Sequence, residues 1–94
     1  MNGEGSMNRR KRQDDALYRR TRKWAMERDH GLCVICGRPA CEVHHIVFRS
    51  QLGTSHLQNL ACLCRECHEM AHGIHAKEIR KMLQEYLIGR EKAE

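Results

Sequence analysis

Apolar and polar positions fall along this chain in three different rhythms, and each rhythm predicts an element. From Asp14 to Asp29, Leu17, Thr21, Trp24 and Ala25 fall on one face at helical spacing while arginines fill the others, which predicts a helix. Asp14 or Asp15 stands as its N-cap, and Gly31 follows its end. Trp24, the single tryptophan, offers a large apolar surface and is expected in the core.

The middle of the chain is shorter in period. Gly31 to Pro39 has the layout of a knuckle, with Gly37 relieving a tight turn after Cys33-Val-Ile-Cys36. Glu42 to Phe48 is rich in Val, Ile and His and predicts a strand. Arg49 to His56 is a polar loop containing Gly53, and Leu57 to Leu63 is the returning strand of a hairpin. A second helix is expected from Cys64 or Arg65 to His72, ending about Gly73. The cleanest pattern is the last: Ile79, Met82, Leu83, Tyr86 and Leu87 mark an amphipathic helix, whose stripe packs on the core or forms a dimer contact. The chain shows no internal repeat.

These elements make a small α+β protein. With 94 residues one domain is expected, at 14–94 with its core at 33–72, preceded by a disordered basic leader at 1–13 in which Met7 offers an alternative start. Mean hydropathy is −0.73 and aromatics are only 4 %, so the apolar supply is thin and a metal staple is favoured. No stretch approaches the length of a membrane span, which argues for no membrane association. The polar, charged N-terminus holds no apolar signal core, so a reducing cytoplasm is expected, where Cys-x-x-Cys pairs read as metal ligands.

Net charge is +5, and it is uneven. Arg9, Arg10, Lys11 and Arg12 form a run that Arg19, Arg20, Arg22 and Lys23 continue, which points to a polyanion, nucleic acid first. The plainer reading of such a run is a solvated basic arm.

Candidate chemistry comes in two nested ligand sets. Cys33, Cys36, Cys64 and Cys67 can close a complete thiolate shell around a structural zinc, leaving no position for water. Cys41 and Cys62 are spare; both are expected to be small buried apolar residues, although Cys41 could replace Cys36 in the shell. The histidines are then surplus. His68 and His72 are four apart on one helix and can grip one ion. His68 follows Cys67 directly and is turned about 100° from it, so one helix can serve two metals. His44 and His45 are adjacent in a strand and point to opposite faces, so one can bind metal while the other acts as a base.

The order His45, Asn59, His68, set between Cys33-x-x-Cys36 and Cys64-x-x-Cys67, resembles the HNH endonucleases, whose core is a hairpin and helix around one metal (the ββα-metal fold). Val43-His44-His45-Ile46, Asn59-Leu60 and Leu63-Cys-x-x-Cys-His68 carry the resemblance, which covers Cys33 to His72; the flanking helices look like those of small phage-type members. The resemblance implies that His45 is the general base, that His44 and His68 are ligands, and that His72 is a third ligand as in the three-histidine DNase colicins. Asn59 either orients the base through the backbone or touches the metal. Many relatives have Asp where this chain has His44, which leaves the divalent ion open among magnesium, manganese, nickel and zinc.

The implied function is hydrolysis of DNA phosphodiester bonds, by nicking or double-strand cleavage. A divalent ion neutralises the phosphate and the departing oxygen, and a histidine near its ordinary pKa accepts the proton of water. Arg49 and the basic helix (Arg19, Arg20, Arg22, Lys23) are placed to grip phosphates, although Arg49 also reads as a solvent-facing loop residue. His30 and His56 read as surface residues, and His75 as unassigned. The resemblance further implies a monomer or weak dimer in a bacterial or phage-infected cell, beside a packaging machinery or mobile element. Two other readings remain: a zinc-stapled nucleic-acid-binding module without turnover, and an assembly protein that docks through its last helix.

Overall fold

The computed structural model describes residues 2–93, with side chains described for residues 9–89. The helix α1 (Asn2–Arg28) leads into the cysteine knuckle, then the strand β1 (Glu42–His45). A loop with single 3₁₀ turns at Arg49–Gln51 and Leu57–Asn59 joins it to β2 (Leu60–Leu63), followed by α2 (Arg65–Ala71) and α3 (Ala76–Ala93). β1 and β2 pair antiparallel, Glu42 opposite Leu63 and His45 opposite Leu60. This is the expected α+β plan of a hairpin and helix with a helix on either flank. No described helix is long and apolar enough to cross a membrane.

Both strands are shorter than the sequence pattern predicts, for one reason. The Asn59 side chain takes the Val47 backbone, accepting from its N–H at 2.9 Å and donating to its carbonyl at 3.1 Å. The ladder therefore stops at His45, where the chain turns into the loop. Gly53 is needed there because a Cβ at this position would lie 1.8 Å from the Val47 carbonyl oxygen.

Four expectations are corrected in α1 and just after the knuckle. The helix expected from Asp14 starts at Asn2, and Met1 lies outside the described residues. Arg, Lys, Gln and Met favour helix, and Asp14 and Asp15 do not cap it; their carboxylates are bound to the 49–55 loop instead. Trp24 is 52 % exposed. The packed face is Thr21, Ala25 and Arg28, where a fully buried Ala25 lets the helix lie close on the hairpin, and Trp24 falls to the side of that stripe. Cys41 is exposed, whereas Cys62 is buried as expected. Burial, and then the charge of Asp29, pushes the Cys62 thiol up to about 12, so it stays protonated and inert.

Two apolar clusters lie on either side of the hairpin. One joins Ile46, Ala61 and Leu63 to Ala71, Ile79, Leu83 and Leu87, so the last helix packs on the core as its periodicity predicts. Met82 is the exception, turned outward and 46 % exposed. The other cluster joins Ala25 of α1 to Val43, Leu60 and Cys62.

The two clusters are tied by a buried carboxylate. Asp29 accepts from Arg28 Nε and NH2, each at 2.8 Å, from the Cys62 N–H at 3.1 Å and from the Tyr86 hydroxyl at 2.9 Å. Arg28 also donates to the carbonyls of Leu57 and Leu60. One ion pair thus joins α1, β2 and α3. Asp29→Ala would leave a buried guanidinium short of its partner, and should cost about 3 kcal/mol in urea denaturation of the metal-loaded protein. A loss near zero would show that the helices are held by their apolar contacts alone.

Candidate active site and metal centres

The knuckle places the first two sulfurs. Gly37 has φ +79°, and its N–H closes on the Cys33 carbonyl at 2.9 Å. The other two come from the start of α2. Cys64 is its N-cap, with a side chain that accepts from the Cys67 N–H at 3.5 Å. The four sulfurs lie within 4.8 Å of one another, and Cys36 Sγ is 3.5 Å from Cys64 Sγ. Ligands of a tetrahedral zinc thiolate site sit about 3.8 Å apart, so the group fits zinc. Burial would raise the Cys33 thiol, but backbone N–H groups of Cys36, Cys64 and Ile35 outweigh it and hold the thiol down at about 6. A thiolate is thus available near neutral pH. Three of the four cysteines are buried and Cys36 is exposed.

The second group uses the opposite side of the same helix. His68 lies on α2 and His72 caps its C-terminus, while His44 points in from β1. Their ligand atoms lie within 4.8 Å of one another, and the Nε2 atoms of His68 and His72 are 3.3 Å apart. Imidazoles sharing one tetrahedral ion have nitrogens about 3.3 Å apart, so this donor set also fits a metal. Burial, and then the charges of His68 and His72, push His44 down to about 4. Burial, followed by His72, also lowers His68. Both rings are therefore neutral, with lone pairs to give, at physiological pH. Phe48 stacks on His72 at 4.8 Å, and Arg80 lies over the Phe48 ring at 5.4 Å, so the cluster has an aromatic wall.

His45 faces away from this trio, as strand alternation requires. Its Nε2 is 2.9 Å from Ser55 Oγ, and the Tyr18 ring packs against it at 5.0 Å. It still lines the pocket that His44, His68, His72, Phe48 and Arg49 share. Burial, and then the neighbouring Arg49, hold His45 below the ordinary histidine value against the opposing charge of Asp14.

Asn59 does not reach the histidine trio with its amide. Besides Val47 it donates to the Thr54 carbonyl at 2.7 Å, and its own carbonyl accepts from Ile46 N–H at 2.8 Å. It shapes the loop that brings Ser55 to His45. Arg49 is bound by Asp14, at 2.8 Å, and by Asp15. Arg19, Arg20, Arg22 and Lys23 are exposed on α1, while Arg10, Lys11 and Arg49 line a pocket adjoining the histidines. His30, His56 and His75 are exposed, and His75 contacts Glu78.

Sequence reasoning missed Ser55, Tyr18 and Phe48, and took Asp14 for a helix cap. None carries a local signal, because each is defined by contacts across the hairpin and α1. The alternation of His44 and His45 was the one signal that could have said where to look: a half-buried histidine turned from the His44, His68 and His72 cluster needs partners of its own.

A hairpin and a helix thus set a histidine cluster beside a thiolate quartet, and each group could hold a metal ion. The HNH endonuclease family model matches residues 33–73, the segment that carries both candidate ligand groups. The chain is also similar to the type IV methyl-directed restriction enzyme EcoKMcrA of Escherichia coli (strain K12), 32 % identical over 71 residues and covering 64 % of this chain. The similarity spans only 26 % of that enzyme's length. Together the matches support a nuclease. The relative is a restriction enzyme, which lends the expected phage association no support.

Cys64→Ser separates the two jobs of this residue, since serine still caps a helix but is a poor zinc ligand. The variant should lose tightly bound zinc, read by a chromogenic chelator, and lose cooperative unfolding with it. A metal-free variant that stays folded would remove the structural role of the quartet.

Proposed function

We propose that residues 14–94 act as one endodeoxyribonuclease domain that hydrolyses DNA phosphodiester bonds in the cytoplasm. The observation that carries this reading is the convergence of His44, His68 and His72 on one point, with His45 on the rim of the same pocket. The thiolate quartet would hold zinc and do no chemistry, since four sulfurs leave it no open position. His44, His68 and His72 would hold the second ion through three imidazoles, a set that favours zinc or nickel over magnesium or manganese. That ion, when bound, supplies positive charge to the phosphate and to the departing oxygen.

The chain's own residues do the rest. His45 accepts the proton of the attacking water. Asn59 fixes the loop that fixes His45, which is the orienting role among the two the family resemblance allows. Arg10, Lys11 and Arg49 continue the pocket along one side, and Arg19, Arg20, Arg22 and Lys23 add positive surface on α1, so the duplex backbone is attracted along a path past the histidines. These contacts carry no base readout by themselves, so cleavage by the isolated protein should be weakly sequence-selective. Methyl-directed recognition belongs to the relative, of which this chain matches about a quarter.

Supercoiled plasmid incubated with the protein and added divalent metal should be nicked or linearised, EDTA should stop it, and His45→Ala should slow it by roughly 100-fold or more without loss of zinc. The neutral form of His45 is the active one, and its pKa is lowered, so the rate should hold to below pH ~6.5 and fall only at more acid pH. A fully active His45→Ala would remove the base. DNA retarded on a gel with no product in any metal would fit a zinc-stapled binding module instead.

A further inference from the structure

His45 is held by a chain of hydrogen bonds that starts outside the matched segment. Ser55 is fully buried. Its N–H donates to Asp14 Oδ1 at 2.8 Å and its hydroxyl to Asp14 Oδ2 at 2.7 Å. Its carbonyl accepts from the Thr21 hydroxyl at 2.7 Å. Both Asp14 and Thr21 lie on α1, so that helix grips Ser55 at every polar atom of its backbone and side chain. The same hydroxyl oxygen is 2.9 Å from His45 Nε2.

The direction of each bond follows from counting protons. Asp14 is bound by Arg49, at 2.8 Å to Oδ2, and is an ionised carboxylate that can only accept. Burial alone would raise the Asp14 carboxyl, but the Ser55 and Arg49 bonds outweigh it and lower its pKa. The hydroxyl owns a single proton, and that proton is spent on Asp14. Toward His45 the oxygen has only lone pairs, so Nε2 must bring the hydrogen. A neutral imidazole has one N–H, which leaves Nδ1 with the free lone pair. Among the described residues His45 Nδ1 has no hydrogen-bond partner.

We infer that Asp14 and Ser55 form a relay that locks His45 as its Nε2–H tautomer with Nδ1 free to take a proton, which makes Asp14 of α1 a positioning residue for the base. The structural half stands on these hydrogen bonds alone; its catalytic consequence rests on the nuclease reading above. It also gives α1 a second task beside its positive charge. The helix lies outside residues 33–73, yet it sets which nitrogen of the base is basic.

Asp14→Asn tests the direction of the relay. Its amide oxygen must stay on the Ser55 N–H, so its NH₂ faces the Ser55 hydroxyl and donates. The hydroxyl proton is then freed to point at His45, which would favour the Nδ1–H tautomer. Long-range proton–nitrogen NMR of the full chain labelled with ¹⁵N-histidine, at a pH where His45 is neutral, reads the tautomer directly. The His45 signal is assigned by its absence in His45→Gln.

The expected result is Nε2–H in the wild type, Nδ1–H in Asp14→Asn and a mixture in Ser55→Ala. Asp15→Asn, which disturbs Arg49 but not Ser55, should keep the wild-type tautomer. On plasmid, Asp14→Asn should lower kcat by roughly 10- to 100-fold more than Asp15→Asn, which loosens Arg49 in the same way but leaves Ser55 alone. An Nδ1–H wild type, or an Nε2–H tautomer that survives both Asp14→Asn and Ser55→Ala, overturns the relay. The spectrum needs no turnover, so a wild type that cuts nothing would count against the nuclease reading and leave the relay to be decided by its own signals.

Discussion

Everything in this molecule depends on how the short helix α2 is fixed at its first turn. Cys64 caps that turn and joins the sulfur quartet, so the same atom that ends the hairpin also starts the helix. A helix this short is not stable alone. Once its N-terminus is held by sulfur and Cys67 and Ala71 are buried, its rotation is set. His68 and His72 then have no choice of direction and meet His44 from the hairpin. Geometry that would otherwise need a large core is obtained here around a quartet of sulfurs that fits zinc, in a chain poor in aromatic and apolar residues.

The two groups of potential ligands are suited to opposite tasks. The quartet is mostly buried and saturated, suited to holding the fold. The histidine trio is graded from buried His44 to exposed His72 and opens on a pocket, suited to exchange with solvent and substrate. Burial is what keeps His44 neutral and ready to bind. It also depresses His45, on the other face of the strand, where a base is wanted near neutral pH. On the proposed reading, one short strand separates a ligand from a base by no more than side-chain alternation.

Both groups of potential ligands were legible in the sequence, because each rests on local spacing: paired cysteines three positions apart, His68 and His72 four apart, His44 and His45 adjacent. The last helix was legible for the same reason, although Met82 shows that a five-residue stripe overstates the packed face by one. What was not legible depends on contacts between distant segments. Trp24 looked like core by size, but the hairpin needs close approach and takes Ala25. Asp14 looked like a cap, but its carboxylate is claimed by Ser55 and Arg49 across the chain. Cys41 looked like a buried spare, yet it lies outside the sulfur cluster and faces solvent. Asp29, which ties three elements, has no sequence signature at all.

The most direct test of this division of labour is the metal content and ligand shell of the purified protein. X-ray absorption on protein loaded with zinc at two equivalents should show two ions per chain, one in an all-sulfur shell that resists EDTA and one in a nitrogen and oxygen shell that EDTA removes. His44→Ala should abolish only the second. A single ion in a mixed sulfur and nitrogen shell would contradict the account, because the cysteines and histidines would then be one site and no exchangeable centre would remain for the chemistry.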